Sequence, residues 1–130
     1  MINDLYISKL QPKTTVKVFK SNIETNATEI KIYNKNGEVL EENDIIATGM
    51  QLELKLGELT RSFEIVVKGD LYSDGKADIL DMIIINYARL KKETLTGAKF
   101  IAADIMEDGK ITIDDLVKIN KFRLRKISEI

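Results

Sequence analysis

The chain has 130 residues, of which 44% are apolar and 32% charged, and its formal net charge is −1. This is the composition of a globular protein with a modest core, and a net charge this small gives no strong attraction to nucleic acid or to a membrane surface. Because the chain has no cysteine and no histidine, a disulfide scaffold, a zinc–thiolate site, a thiol nucleophile and a histidine general base are all excluded.

No apolar run approaches the ~18 residues that a membrane-spanning helix needs. The first residues, from Met1 to Leu5, have none of the features of a signal peptide. We expect the chain to be a piece of a longer secreted protein, with Met1 added to it.

The first half of the chain is rich in Val, Ile and Thr, and its apolar residues alternate with polar ones. Tyr6–Leu10, Glu29–Tyr33 and Gln51–Leu56 are predicted to be strands, and so is part of residues 62–67. The sequence Asn-Lys-Asn-Gly at residues 34–37 is typical of a hairpin turn, because Asn and Gly tolerate positive φ angles. Residues 38–40 are predicted to be the return strand, which gives a small sheet.

Residues 16–23 leave two alternatives open. Val16 and Phe19 follow helical spacing, and Thr14 or Thr15 can cap a helix by accepting a free backbone N–H. The alternation at the start of this segment is also compatible with a strand. We predict one short helix here.

The second half of the chain changes to helical spacing. Residues 81–92 and 115–127 are predicted to be two apolar helices, with a short helix at residues 96–103 between them. Gly69 separates the two halves. The predicted fold class is α+β: a small β-rich N-terminal domain with one short helix over residues 1–68, followed by an all-α domain over residues 69–130 in which a loop–helix unit occurs twice.

Two acidic segments of the second half repeat each other. The segment from Asp70 to Asp81 aligns with the segment from Asp104 to Asp115, which starts 34 residues later. Both have Asp at positions 1, 5 and 12, Gly at position 6 and Lys at position 7. Asp-x-x-x-Asp-Gly opens an EF-hand-like calcium loop, and two such loops, each followed by a helix, indicate a duplicated calcium module.

Two calcium sites are therefore predicted. Calcium takes about 6–8 oxygen ligands, and such a loop supplies them from positions 1, 3, 5, 7, 9 and 12, with a backbone carbonyl at position 7. The predicted ligands are Asp70, Asp74, Lys76, Asp78 and Asp81 in the first loop, and Asp104, Asp108, Lys110, Thr112 and Asp115 in the second.

Position 3 departs from the calcium pattern in both loops, since the side chains of Tyr72 and Met106 are not useful calcium ligands. We expect weakened sites in which water fills the missing place. An alternative without metal stays open, in which the Asp residues at position 12 are helix N-caps and apolar packing of Tyr72 and Met106 replaces the ion. The duplication of the whole pattern favours the calcium module.

These features resemble the dockerin family. The resemblance is carried by the Gly-Asp start at residues 69–70, by Ala102-Ala103-Asp104 and by the run from Gly109 to Leu116. Short motifs at residues 14–16, 36–37, 48–49 and 63–70 resemble a small β-rich module, of the X-module or Ig-like type, that precedes dockerins in secreted Gram-positive proteins. Together the two resemblances cover nearly the whole chain.

The resemblance implies a tethering role. Dockerins bind cohesin domains and so attach enzymes or adhesins to scaffold or cell-surface proteins, as in the cellulosomes that degrade polysaccharides. It implies a secreted or cell-surface protein of a Gram-positive bacterium that is monomeric when free and that neither binds nucleic acid nor inserts into a membrane.

In that family, loop positions 10 and 11 and the adjoining helix face contact the partner. This chain has Ile, Leu and Asp at those positions instead of the usual Ser or Thr, which indicates a more apolar contact. The matching residues are Ile79, Leu80, Asn86, Tyr87 and Lys91 in the first repeat, and Ile113, Asp114, Asn120, Lys121 and Arg125 in the second.

Two other functions are alternatives to the docking module. A dockerin-like region that has lost its partner would clamp the neighbouring domain, with weak or no calcium binding. An enzyme is disfavoured because the chain has no His, no Cys, no Gly-rich phosphate loop and no nucleophile elbow, so no catalytic residue is predicted. Ile79 and Ile113 are alternatively core residues. The cations of the last helix are expected to form a solvated face that favours the helix C-terminus, with a partner contact as the alternative; they are Lys118, Lys121, Arg123, Arg125 and Lys126.

Overall fold

The computed structural model describes residues 5–130, so the predictions for the first four residues lie outside the described part. Within this part strands and helices follow one another along the chain. They are β1 Tyr6–Leu10, α1 Val16–Asn22, β2 Glu29–Tyr33, β3 Gln51–Leu56, β4 Leu59–Val67, α2 Ile79–Arg89, α3 Gly97–Ala103 and α4 Ile113–Arg123.

The strands form one mixed, four-stranded sheet in the order β1-β4-β3-β2. β1 runs parallel to β4, whereas β2 with β3 and β3 with β4 are antiparallel. Alternation along the strands places apolar side chains on one face, and α1 covers this face. Phe19 of α1 is buried in the same apolar cluster as Leu52 and Ile65 of the sheet.

β4 contributes to two apolar clusters. Ile65 and Val67 belong to the cluster under α1, whereas Val66 between them belongs to the cluster formed with α2, α3 and α4. Since successive side chains of a strand point to opposite faces, the three helices pack on the second face of the same sheet. α3 contacts both β4 and β1.

The predicted fold class is therefore wrong. It set an all-α domain behind a separate β-rich one, but the chain forms a four-stranded mixed sheet with four helices in the described part. The physical reason is that α2 and α4 do not complete a core by themselves: Val66 and Tyr6 of the sheet pack into their apolar cluster. The domain boundary between residues 68 and 69 stays a prediction.

The ends of the elements differ from prediction in ways that have local causes. α1 is a helix, as predicted, and Thr15 Oγ1 accepts a hydrogen bond from Val18 N (3.3 Å) at its start. Residues 38–40 form no strand of their own but an isolated bridge between Val39 and Tyr33. α2 and α4 end earlier than predicted because the chain turns left-handed at Lys91 and Arg125, with φ of 60° at each.

Candidate metal centres

Two acidic clusters lie in the loops that precede α2 and α4. The first consists of Asp70, Asp74 and Asp81, and the second of Asp104, Asp108 and Asp115. In each cluster the three residues offer carboxylate oxygens that all lie within 4.8 Å of one another. Each cluster could hold a metal ion, and the duplicated motif predicted both of them.

The first loop is folded by hydrogen bonds from its own backbone to its carboxylates. Asp70 Oδ1 accepts from Asp74 N (3.0 Å) and Asp70 Oδ2 from Gly75 N (2.9 Å). Asp74 Oδ1 in turn accepts from Lys76 N (3.0 Å). These bonds hold the carboxylates of positions 1 and 5 on the same side of the turn.

The second loop repeats this pattern. Asp104 Oδ1 accepts from Asp108 N (3.2 Å) and Asp104 Oδ2 from Gly109 N (2.9 Å). Asp108 Oδ1 accepts from Lys110 N (3.1 Å). The φ angle of the glycine at position 6 is 79° in both loops, so the repeat in the sequence is a repeat in backbone geometry.

The carboxylates of position 12 close the loops. Asp81 accepts from Tyr72 N (3.0 Å) and Asp78 N (2.9 Å), and Asp115 accepts from Met106 N (3.0 Å) and Thr112 N (2.8 Å). Since the helices begin at Ile79 and Ile113, Asp81 and Asp115 lie in the first turn. The alternative without metal assumed that these two residues are N-caps, and this assumption is wrong.

Burial makes these carboxylates costly to ionise. Asp70, Asp81 and Asp115 are fully buried. Desolvation raises the pKa of Asp81 to about 6, against the hydrogen bonds that it accepts from the backbone of Asp78, Tyr72 and Leu71. Desolvation likewise raises the pKa of Asp70 and of Asp115.

Within the described residues, the ion pairs are Lys9 with Glu107, Lys31 with Glu29 and Lys68 with Glu107, so none includes a cluster carboxylate. Buried carboxylates without a cationic partner are stabilised in their charged form by a bound cation. The donor set, with oxygen atoms alone, fits a hard cation.

Position 9 differs between the loops. Asp78 Oδ1 accepts from Leu80 N (3.1 Å) and caps α2. Thr112 Oγ1 is buried and faces the backbone N–H of Asp115 in a capping box at the start of α4, without a hydrogen bond of good geometry. A ligand or water in the second loop would satisfy this buried oxygen better.

Positions 3 and 7 add no side-chain ligand. Tyr72 is 53% exposed and Met106 46% exposed, so apolar packing of these residues does not take the place of an ion. The side chains of Lys76 and Lys110 are exposed as well, and their predicted contribution is the backbone carbonyl.

The surroundings of the two loops differ. Thr48 N donates to Asp70 Oδ2 (2.9 Å), and Lys13 N donates to the carbonyl of Gly75 (2.7 Å), so the first loop is held by the N-terminal half of the chain. Asp108 and Gly109 of the second loop are exposed. Sequence reasoning missed Thr48, because a Thr–Gly pair in a connection is too common to predict a contact with residue 70.

α2 and α4 are paired and leave an open groove of about 390 Å³ between them. Ile79 and Ile113 line it and are 51% and 53% exposed, so they are not core residues. The other apolar residues of the groove are Met82, Ile83, Leu116 and Val117.

The remaining predicted partner residues are divided between the groove and the surface around it. Asn86 and Asn120 line the groove, and each accepts a hydrogen bond from an Arg of its own helix. The exposed residues outside the groove are Leu80, Tyr87, Lys91, Asp114, Lys121 and Arg125.

Comparison of the chain with protein families, curated proteins and solved structures finds no match. In the part of the chain that the structure describes, no helix combines the length and the apolar character needed to cross a membrane.

Proposed function

We propose that this chain is a non-catalytic binding module of dockerin type, which holds calcium in its two loops and docks to a cohesin-type partner through α2 and α4. On this proposal the parent protein is secreted or displayed on the surface of a Gram-positive bacterium. The single observation that carries the proposal is the matched geometry of the two loops, each with three carboxylates within 4.8 Å of one another.

Calcium is the cation that this donor set favours. The loops offer carboxylates, backbone carbonyls and, in the second loop, the hydroxyl of Thr112, and these hard oxygen ligands are the ones that calcium takes. A site that tolerates one missing side-chain ligand also suits calcium, whose coordination is flexible, better than magnesium, which requires near-ideal octahedral geometry.

The groove between α2 and α4 supports the docking part of the proposal. Ile79, Ile83, Ile113 and Val117 are all exposed large apolar residues on one pair of neighbouring helices. A contiguous apolar patch on a protein surface is typical of a site of protein–protein contact.

Calcium titration tests the metal part. A cation that binds the folded protein and not the unfolded chain must raise the melting temperature with concentration. We expect calcium to raise the melting temperature and EDTA to reverse the effect, with two binding events in calorimetry. In D81N and D115N one event should disappear from each variant. A melting temperature independent of calcium would refute the metal part.

A binding assay tests the docking part. We expect a panel of cohesin domains to contain one that captures the wild-type chain but fails to capture the variants Ile83→Asp and Val117→Asp. The variants Leu80→Asp and Tyr87→Asp test the surface beside the groove. Leu59→Asp is the matched control, because Leu59 is an exposed apolar residue of β4 that does not line the groove. Capture of all the variants equally would remove the groove from the contact.

A second candidate function is an intramolecular clamp, and the contacts between the two halves of the chain favour it. Glu107 of the second loop lies 3.3 Å from both Lys9 Nζ and Lys68 Nζ, and the first loop is bonded to Thr48 and Lys13. A clamp predicts no capture by any cohesin, with or without weak calcium binding, and the absence of capture separates it from the docking module.

A further inference from the structure

A second cleft, separate from the α2–α4 groove, opens where the first loop meets the turn before α1 and the segment after α4. Its volume is about 740 Å³. It is lined by cations from three places in the chain: Lys13 before α1, Lys76 in the first loop, and Arg123, Arg125 and Lys126 at the end of α4.

These cations have no counter-charge of their own. All five are exposed, and none takes part in an ion pair among the described residues. The one carboxylate among the described residues that line the cleft is Asp78, which caps α2 through Leu80 N. Because the whole chain has a net charge of −1, this cleft is a local excess of positive charge.

The floor of the cleft is apolar. Ala77 is buried, and Phe122 and Ile127 are half-buried, and all three line the cleft. The combination of an apolar floor with cationic walls fits a ligand that carries both apolar groups and several negative charges.

We propose that this cleft binds an acidic polypeptide segment of a partner protein, with carboxylates against the cationic walls and an apolar side chain on Phe122 and Ile127. A single phosphate is a poor fit, because none of the cations is buried to hold it. A nucleic acid is also a poor fit, because one half-buried ring offers little base stacking.

The probe is a fluorescein-labelled peptide, Glu-Glu-Leu-Glu-Glu-Leu-Glu-Glu, with a twin in which every Glu is Gln. Fluorescence anisotropy measures the binding of both to the full chain. We expect the Glu peptide to bind and the Gln twin not to bind at about 50 mM salt, and binding to be lost at about 500 mM, where exposed charges are screened. Equal binding of the two peptides would overturn the proposal.

The variant K13Q/K126Q removes two of the wall cations. Two exposed ion pairs account for about a three- to tenfold loss of affinity. The matched control is K20Q/K55Q, which removes two exposed cations outside the cleft and should change affinity by less than about twofold. K13R/K126R should keep wild-type affinity.

Two further outcomes would overturn the proposal. An octathymidylate that binds more tightly than the Glu peptide would overturn the proposal in favour of a nucleic acid. Loss of affinity in K20Q/K55Q equal to that in K13Q/K126Q would show attraction by overall charge, and would overturn it too. The variants K13Q/K126Q and K20Q/K55Q leave the loop carboxylates and the α2–α4 groove unchanged, so the outcome of this assay is distinct from that of the docking proposal.

Discussion

Gly75 and Gly109 occupy the same position of the two loops and share a φ of 79°. Their neighbours are different. A Cβ at Gly75 would meet the side chain of Ile45 and lie 2.8 Å from the carbonyl oxygen of Ile46, whereas a Cβ at Gly109 would have nothing within 4 Å. Comparing the same substitution at the two glycines therefore separates the cost of the left-handed backbone from the cost of steric overlap.

We predict that Gly75→Ala destabilises the chain more than Gly109→Ala. The left-handed backbone costs about 1–2 kcal/mol in both variants, and overpacking against Ile45 and Ile46 adds about 1–3 kcal/mol at residue 75. Urea unfolding, without added calcium, measures the difference. Equal losses of stability would mean that the first loop is not packed against residues 45–46.

Position 3 of the first loop offers a gain of function. We predict that Tyr72→Asp raises calcium affinity by about tenfold, because it adds an anionic ligand where the calcium loop expects one. Calorimetry measures the affinity, and Tyr72→Asn, which adds an oxygen without charge, should give a smaller gain. Tyr72→Ala is the control, since it removes the ring and adds no ligand. A gain in Tyr72→Ala equal to that in Tyr72→Asp would contradict the prediction.

At the scale of elements, α2 and α4 are repeat-related helices that bury corresponding residues. Ile85 and Ile119 hold the same position of the two repeats, and both are 0% exposed. Val117, on the same helix as Ile119, is exposed and lines the groove. The same helix therefore carries both core and surface apolar residues.

We predict that Ile119→Ala lowers the free energy of unfolding by about 2–5 kcal/mol, because it leaves a cavity in the core. Val117→Ala should lower it by less than about 1 kcal/mol, because an exposed side chain loses little burial. Chemical denaturation followed by circular dichroism measures both. A large effect of Val117→Ala would place that residue in the core and would weaken the assignment of the groove as a docking surface.

The sequence predicted the elements better than their ends. β1, β2 and β3 have the predicted bounds, because strict alternation of apolar and polar residues marks both ends of a strand. α2 and α4 start two residues before the predicted positions. The reason is that their N-cap residues are Asp78 and Thr112, at loop position 9, and not the Asp residues at position 12. The acidic clusters were predictable for a related reason: the three carboxylates of each cluster lie within one short segment of the chain.

At the scale of the whole molecule, hydrogen bonds connect residues that are far apart in the sequence. Gln11 Nε2 donates to the carbonyl of Ile130 (2.5 Å), and Gln11 Oε1 accepts from Ile130 N (2.8 Å). Ile130 is buried in the same apolar cluster as Val66 and Leu116. The side chain of Gln11 thus holds Ile130 against the turn after β1 through two hydrogen bonds.

We predict that Gln11→Ala lowers the free energy of unfolding by about 1–3 kcal/mol, because two partly buried hydrogen bonds are lost. Gln51→Ala is the matched control, since Gln51 is exposed in β3 and its loss should be within about 0.5 kcal/mol. Thermal or urea unfolding measures both variants. Identical stabilities would mean that the contact of Gln11 with Ile130 contributes nothing.

Such contacts explain why the fold class was not predictable. Gln11 and Ile130 are 119 residues apart, and Thr48 reaches Asp70 across 22 residues. Periodicity reports which face of an element is apolar, but not which other element covers it. The apolar character of residues 81–92 was therefore consistent with a helical domain of its own, whereas the sheet supplies part of the covering surface through Val66 and Tyr6.

The unequal packing of the two loops has a consequence for labelling the protein. A side chain at residue 75 would occupy space that Ile45 and the carbonyl of Ile46 already fill, whereas a side chain at residue 109 would meet no neighbouring atom within 4 Å of its Cβ. Residue 109 is therefore the better of the two positions for attaching a reporter group.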